Sequence, residues 1–250
     1  MASRTPYNFR FSNLCGTVYK SGNLAFKPDG TTLYSPVGNR VSALHLVAHS
    51  AATLDFETRS DIERIAVSPD GRLLLAVDAD GHALAFNLAR GVVVHRFAFR
   101  ARARALAFSP DGRYFAVSHG RRLQVWRTPS LASEFSPFAL HRTYTGHYDD
   151  VTCVAWSPSG AYLCTGSEDL TARIHSLHPT QGFIPVALSG HRERLVSVHF
   201  AGERELYTVS RDGAIFVWRW VERPELSRAA AASLRAQQRA ESVSIPKATP

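Results

Sequence analysis

Lysine occurs only at Lys20, Lys27 and Lys247, so 26 of the 29 cations in the 250 residues are arginine. Cysteine is equally scarce. Three residues with no CxxC pair and no regular spacing exclude a disulfide framework and a structural zinc site, and they point to a reducing compartment. No apolar run approaches the ~20 residues needed to span a bilayer as a helix, and residues 1–10 hold no run of signal-peptide length. The expectation is a soluble, intracellular protein with no membrane partner. Acidic residues are missing from one stretch in particular: residues 82–133 contain nine arginines and one acid, Asp111. Residues 1–81 hold eight charges of each sign and residues 134–250 twelve of each, so the whole net charge of +8 is local. A local excess predicts a docking surface for phosphate or an acidic partner. What the chain has in quantity is apolar residues, 45%, enough for a sizeable core and too many for a disordered protein.

A turn sequence recurs along the chain. It reads Lys27-Pro28-Asp29-Gly30, Ser68-Pro69-Asp70-Gly71, Ser109-Pro110-Asp111-Gly112 and Ser157-Pro158-Ser159-Gly160, with a degraded fifth copy at Ala201-Gly202-Glu203. Proline presets φ at the second turn position, aspartate bonds the backbone ahead of it, and glycine accepts positive φ. Each turn follows an alternating apolar segment, at 24–26, 62–67, 103–108, 151–156 and 195–200, and each precedes a second one, at 32–35, 73–77, 114–118, 162–166 and 205–209. Tight turns then recur at Gly38-Asn39, Asp80-Gly81, His119-Gly120, Glu168-Asp169 and Asp212-Gly213. Third strands follow, clearest at Leu123-Gln124-Val125-Trp126 and Ile215-Phe216-Val217-Trp218, and weaker fourth strands close the units, as at 92–97 and 183–188.

Four short antiparallel strands at a period of ~40–45 residues are the arithmetic of a β-propeller of the WD40 type. The fold expected is therefore all-β, with about five four-stranded blades over 1–220 and a helical or disordered linker over 221–250. The fifth unit lacks its fourth strand. An open ring leaves unpaired edges, so either residues 9–19 supply a closing strand or further blades come from sequence not present here, and the second is favoured. Residues 224–242 read as a helix, with Pro224 in its first turn and Leu226, Ala230 and Leu234 four apart. The fifth unit resembles the WD40 family in its structural hydrogen-bond set, with His191, Ser210, Asp212 and Trp218. The fourth keeps His147, Ser167 and Asp169 but has His175 in place of the tryptophan, which predicts an incomplete network.

A narrower resemblance lies in the segment Asn8-Phe9-Arg10-Phe11-Ser12-Asn13-Leu14, continued by Gly16-Thr17-Val18-Tyr19, Gly22-Asn23-Leu24 and residues 35–41. With Thr143-Tyr144, Tyr148-Asp149, Thr152-Cys153, Gly166-Ser167, Ala187-Leu188 and Gly190-His191, the sequence resembles the periodic tryptophan protein 2 family over most of 8–218. Members of that family are much longer, so the chain looks like an N-terminal portion. The resemblance implies a non-catalytic scaffold of the nucleolar small-subunit processome, associated with the U3 small nucleolar ribonucleoprotein and needed for pre-ribosomal RNA processing. Its implied partners are other WD40 and helical subunits, with no cofactor and no small-molecule substrate. The alternative is a generic WD40 interaction module, such as a substrate receptor in another complex.

Candidate chemistry divides three ways. His191, Ser210 and Asp212 are the residue types of a hydrolase triad, but no G-x-S-x-G surrounds Ser167 or Ser210, and the structural reading is preferred. Eleven histidines form no H-E-x-x-H array, so no metal is expected, and Cys153 with Cys164 read as buried thiols on neighbouring strands. Arginine is the more informative constellation. Arg100, Arg102 and Arg104 precede or enter the first strand of the third unit, and Arg121 and Arg122 follow its second turn, so five arginines are expected at one rim of one blade. That rim is a solvated face, a site for an acidic protein, or a contact for U3 or pre-ribosomal RNA.

Overall fold

The computed structural model describes residues 22–99, 101–132, 137–178 and 185–220. Among the described residues nineteen strands form five separate antiparallel sheets. The first holds β1 (Ala25–Phe26), β2 (Thr32–Val37), β3 (Arg40–His45) and β4 (Ser50–Thr53), and the second β5 (Ile62–Val67), β6 (Leu73–Asp78), β7 (His82–Asn87) and β8 (Val92–Ala98). The third holds β9 (Ala103–Phe108), β10 (Tyr114–His119), β11 (Arg122–Arg127) and β12 (Leu140–Tyr144), and the fourth β13 (Val151–Trp156), β14 (Tyr162–Ser167), β15 (Ala172–Ser176) and β16 (Val186–Leu188). The fifth has three strands among the described residues, β17 (Leu195–Phe200), β18 (Glu205–Ser210) and β19 (Ile215–Arg219). Strand order within each sheet is chain order, as in a meander. The first strands of neighbouring sheets lie side by side, β5 on β9, β9 on β13 and β13 on β17, which makes the sheets successive blades around an axis. The helix expected over 224–242, the linker from 221, the closing strand over 9–19 and Arg100 lie outside the described residues.

The repeated turn works as its composition requires, and its first serine does more than its position suggested. Ser68 Oγ donates to Asp70 and accepts from the Leu73 N–H at 2.9 Å, while Asp70 accepts from the Arg72 N–H at 3.1 Å. Ser109 and Asp111 repeat this pattern one blade on. Gly71 sits at φ +69° and Gly112 at +71°, where a side chain would be strained. The turns also stack from blade to blade: a Cβ on Gly112 would lie 3.6 Å from Pro69 Cδ, and one on Gly160 3.7 Å from Pro110 Cδ.

The core lies between blades. Because side chains alternate across a strand, β6 sends Leu74 and Ala76 toward the first blade and Leu73, Leu75 and Val77 toward the third. The third and fourth blades meet through Ala116, Leu123 and Val125 against Trp156, Leu163 and Leu177. The fourth and fifth meet through Cys164, Ala172 and Ile174 against Leu195, Val198 and Leu206. Backbone-directed bonds pin the inner strands together: Asn23 exchanges two 2.8 Å bonds with the Ile65 backbone, and Thr152 Oγ1 donates to the Leu195 carbonyl at 2.7 Å. On the fifth blade the onward face is uncovered. Ile215 and Val217 are 61% and 51% exposed, whereas their counterparts Ala172 and Ile174 on β15 are buried.

Candidate functional site

Two side-chain relays cross the fourth and fifth blades. In the fifth, the indole N–H of Trp218 on β19 donates to Thr208 Oγ1 at 2.9 Å, and Thr208 on β18 lies 2.7 Å from His191 Nε2. His191 Nδ1 is 3.0 Å from Ser210 Oγ, which in turn donates to Asp212. Since indole can only donate and carboxylate can only accept, each proton is directed: Trp218 to Thr208, Thr208 to His191, His191 to Ser210, Ser210 to Asp212. That polarity excludes a hydrolytic triad. The nitrogen that faces Ser210 is Nδ1, which carries the ring proton because Nε2 accepts from Thr208, so it cannot act as base, and Ser210, only 2% exposed, gives its own proton to Asp212.

The fourth blade runs the same relay with one link fewer. His147 Nδ1 bonds Asp169 directly at 2.8 Å, and His147 Nε2 bonds Thr165 Oγ1 at 2.8 Å. His175 Nε2 stands 3.3 Å from Thr165, where Trp218 stands on Thr208, so the network expected to be incomplete is closed by histidine. Ser167 is not in this chain. Its hydroxyl donates to the Asp149 carbonyl at 3.0 Å and accepts from the Asp169 N–H at 3.1 Å, which clasps the turn. The hubs, Thr165 and Thr208, were missed by sequence reasoning. The signal was present as Thr-x-Ser-x-Asp at Thr165-Gly166-Ser167-Glu168-Asp169 and Thr208-Val209-Ser210-Arg211-Asp212, because residues two apart on a strand share a face.

Burial keeps these imidazoles neutral. It is the first cause that lowers His147, opposed by Asp169, and it lowers His175 to about 4, helped by the charges of His147, Arg173 and Arg142. Asp169 lies below its usual value: burial would raise it, but hydrogen bonds from Thr171, the Tyr148 N–H and His147 outweigh that. The thiols respond to burial in the opposite sense. Cys153 is pushed up to about 11 and Cys164 well above its usual value, which makes both poor nucleophiles. They lie on adjacent strands without being directly opposed, Cys153 facing Gly166 and Cys164 facing Ala155.

The third blade replaces the relay with aromatic packing. Register puts Phe115 opposite Trp126, as Leu206 is opposite Trp218, so Val117 takes the threonine position, and Phe99 takes that of His191. Phe99 packs edge-on to Trp126 at 5.6 Å and Phe97 stacks on Phe138 at 4.7 Å. Both phenylalanines are partly buried and pack against the core between the second and third blades. The substitution leaves the buried Trp126 N–H without a partner among the described residues. Val117→Thr restores the missing hydroxyl at equal volume and is expected to raise stability by about 1 kcal/mol, read as a higher urea midpoint at unchanged slope.

The arginine rim is partly consumed by the protein itself. Arg102 Nε bonds both carboxylate oxygens of Glu63 on β5, at 2.9 and 2.7 Å. Arg104 on β9 bonds Glu168 at 2.7 Å and Asp150 at 3.1 Å, and Arg194 reaches the same Glu168 at 3.4 Å. Arg64 donates through Nε to the Arg104 carbonyl. Acidic residues of the second and fourth blades thus bracket the basic third, and the excess that is local in sequence is paired across blade boundaries in space. Arg121 and Arg122 remain exposed at the β10–β11 turn, apart from those pairs. Among the described residues one group has metal-ligand proximity, Asp78, Asp80 and His82. Asp78 there accepts from the N–H groups of Asp80 and His82, at 3.1 and 2.7 Å, and so serves as a turn clasp.

Five meander sheets with a Thr-His relay and a repeated Ser-Pro-Asp-Gly turn define a WD40-repeat protein, and the WD domain, G-beta repeat model matches residues 94–127 and 138–176. The chain is 48% identical over 225 residues to the periodic tryptophan protein 2 homolog of Neurospora crassa, covering 87% of this chain and 25% of that protein. It is 48% identical over 215 residues to the Schizosaccharomyces pombe homolog, covering 85% and 25%, and 42% identical over 221 residues to periodic tryptophan protein 2 of Saccharomyces cerevisiae, covering 87% and 24%. The chain belongs to the periodic tryptophan protein 2 family. It spans about a quarter of the length of the curated relatives it matches.

Proposed function

We propose that this chain is a non-catalytic WD40 scaffold of the nucleolar small-subunit processome, associated with the U3 small nucleolar ribonucleoprotein and acting in pre-ribosomal RNA processing. Membership of the periodic tryptophan protein 2 family carries the reading. The relays support it, because their protons are committed to holding strands together and their histidines are buried. Scaffolding fits a surface built from rigid blades joined by short turns, on which partner subunits dock through loops and edges. The test is to tag the chain in its own cell, separate the lysate on a gradient, and identify the protein and RNA that travel with it. Recovery in a large particle with U3 RNA is expected. Recovery only as a small free species overturns the proposal for this chain.

A further inference from the structure

Charge outside the internal ion pairs also gathers away from the rim that holds Arg121 and Arg122. At the outer seam between the third and fourth blades, register sets Arg127 directly opposite Tyr114, and Arg142 opposite Val125 on the neighbouring strand. A bulge between those pairings carries His141, whose ring lies 4.7 Å from Tyr114 and 6.3 Å from His178 across the blade boundary. Arg142 donates to the Leu177 carbonyl at 3.4 Å and lies over the Tyr144 ring at 5.2 Å, so its guanidinium is positioned without a carboxylate. Among the described residues neither Arg127 nor Arg142 has an acidic partner, whereas Arg102 and Arg104 have three between them. Arg113, beside Tyr114, is 82% exposed and meets Asp111 only at 3.9 Å. The mutual repulsion is visible in His141: burial lowers its pKa first, and the charges of His178, Arg142 and Arg127 lower it further.

We propose that this seam is a contact for single-stranded RNA, with Arg127 and Arg142 on successive phosphates and the exposed His141, backed by Tyr114, stacking on a base. The proposal deepens the ribosome-biogenesis reading and rests on it for the choice of nucleic acid. Arginine forks match phosphate oxygens, and aromatic rings set among cations are the usual platform for unpaired bases. An acidic protein segment would satisfy the arginines but would leave the exposed face of His141 unused, so RNA is the better fit.

The test uses the full chain and a fluorescein-labelled oligouridine, with binding followed by anisotropy from about 50 to 200 mM salt. Each phosphate contact on a single strand contributes about −0.7 to the slope of log affinity against log salt, so two arginines predict about −1.4 or steeper. Arg127→Gln, on an exposed side chain, is expected to weaken binding about fivefold and to flatten the slope by about 0.7. Adding Arg142→Gln should bring the loss beyond about tenfold, and His141→Ala should weaken binding at unchanged slope, because stacking is not ionic. Arg121→Gln with Arg122→Gln, at the opposite rim, should change neither. Equal affinity for the wild type and Arg127→Gln overturns the proposal, as does loss only in the Arg121 and Arg122 variant. Arg127-dependent binding of labelled polyglutamate without RNA binding replaces RNA by an acidic protein. Because the readout needs no particle, its failure leaves the gradient result for the scaffold reading untouched.

Discussion

Thr208→Val is expected to destabilise the protein by about 3 kcal/mol although it changes no volume. The hydroxyl is the hub of the fifth-blade relay, accepting from Trp218 and donating to His191 inside the core, with Thr208 itself fully buried. Valine leaves an imidazole nitrogen and an indole N–H both buried and unpaired, and each such group costs about 1–3 kcal/mol. The third blade shows the way back, since it holds Val117 and Phe99 at the equivalent positions and packs them against Trp126. Thr208→Val combined with His191→Phe should therefore cost less than the single change, a positive coupling readable in a urea double-mutant cycle. Additive losses would mean that the relay does not act as a unit.

The second large effect is acid lability from the fourth blade. His175 is lowered from the usual 6.5 to about 4 when folded, chiefly by burial. A depressed folded value means that the unfolded chain binds the extra proton between those two limits. The stabilisation is thus fully present above about pH 6.5, falls as the pH drops, and is lost by about pH 4, with a total near 3 kcal/mol. His147 and His191, also lowered by burial, add in the same direction. His175→Trp, which installs the residue found on β19, removes the titration while keeping a donor for Thr165. Denaturation midpoints between about pH 7 and pH 4 should fall less steeply in this variant. The slope is the readout, so a constant offset from repacking against Tyr144 does not blur it. An unchanged slope would assign the acid response to the other histidines.

Most of the fold was legible because propeller blades are written locally. Four of the five first strands coincide with the segments read between turn signals, at 62–67, 103–108, 151–156 and 195–200. The reason is that Pro-Asp-Gly and the alternation before it act over six to ten residues, within the span of a single hairpin. Departures occurred where local signals weakened: the first blade opens on only Ala25–Phe26, and the described fourth strand of the fourth blade is only Val186–Leu188. Site residues were less legible. Thr165 and Thr208 look like any strand threonine until register sets them under a histidine and an indole.

Charge is where sequence and structure diverge most. Residues 82–133 carry the entire excess, and from composition alone that excess reads as one docking surface. Glu63, Asp150 and Glu168, 39 to 64 positions away from their arginine partners in the case of Glu63 and Glu168, meet Arg102 and Arg104 because blade closure brings rim loops together. Arg127, counted in that stretch but outside the five-arginine rim, and Arg142, beyond the stretch, come together at the seam and have no acidic partner among the described residues. By itself the sequence determined the period, the turns, the alternating strands and the family, since all of these are encoded by neighbours along the chain. Only the tertiary structure decided which hydroxyl bridges each relay, which arginines are neutralised and which remain open, because hydrogen bonds and ion pairs depend on distances of about 3 Å that are set across blades.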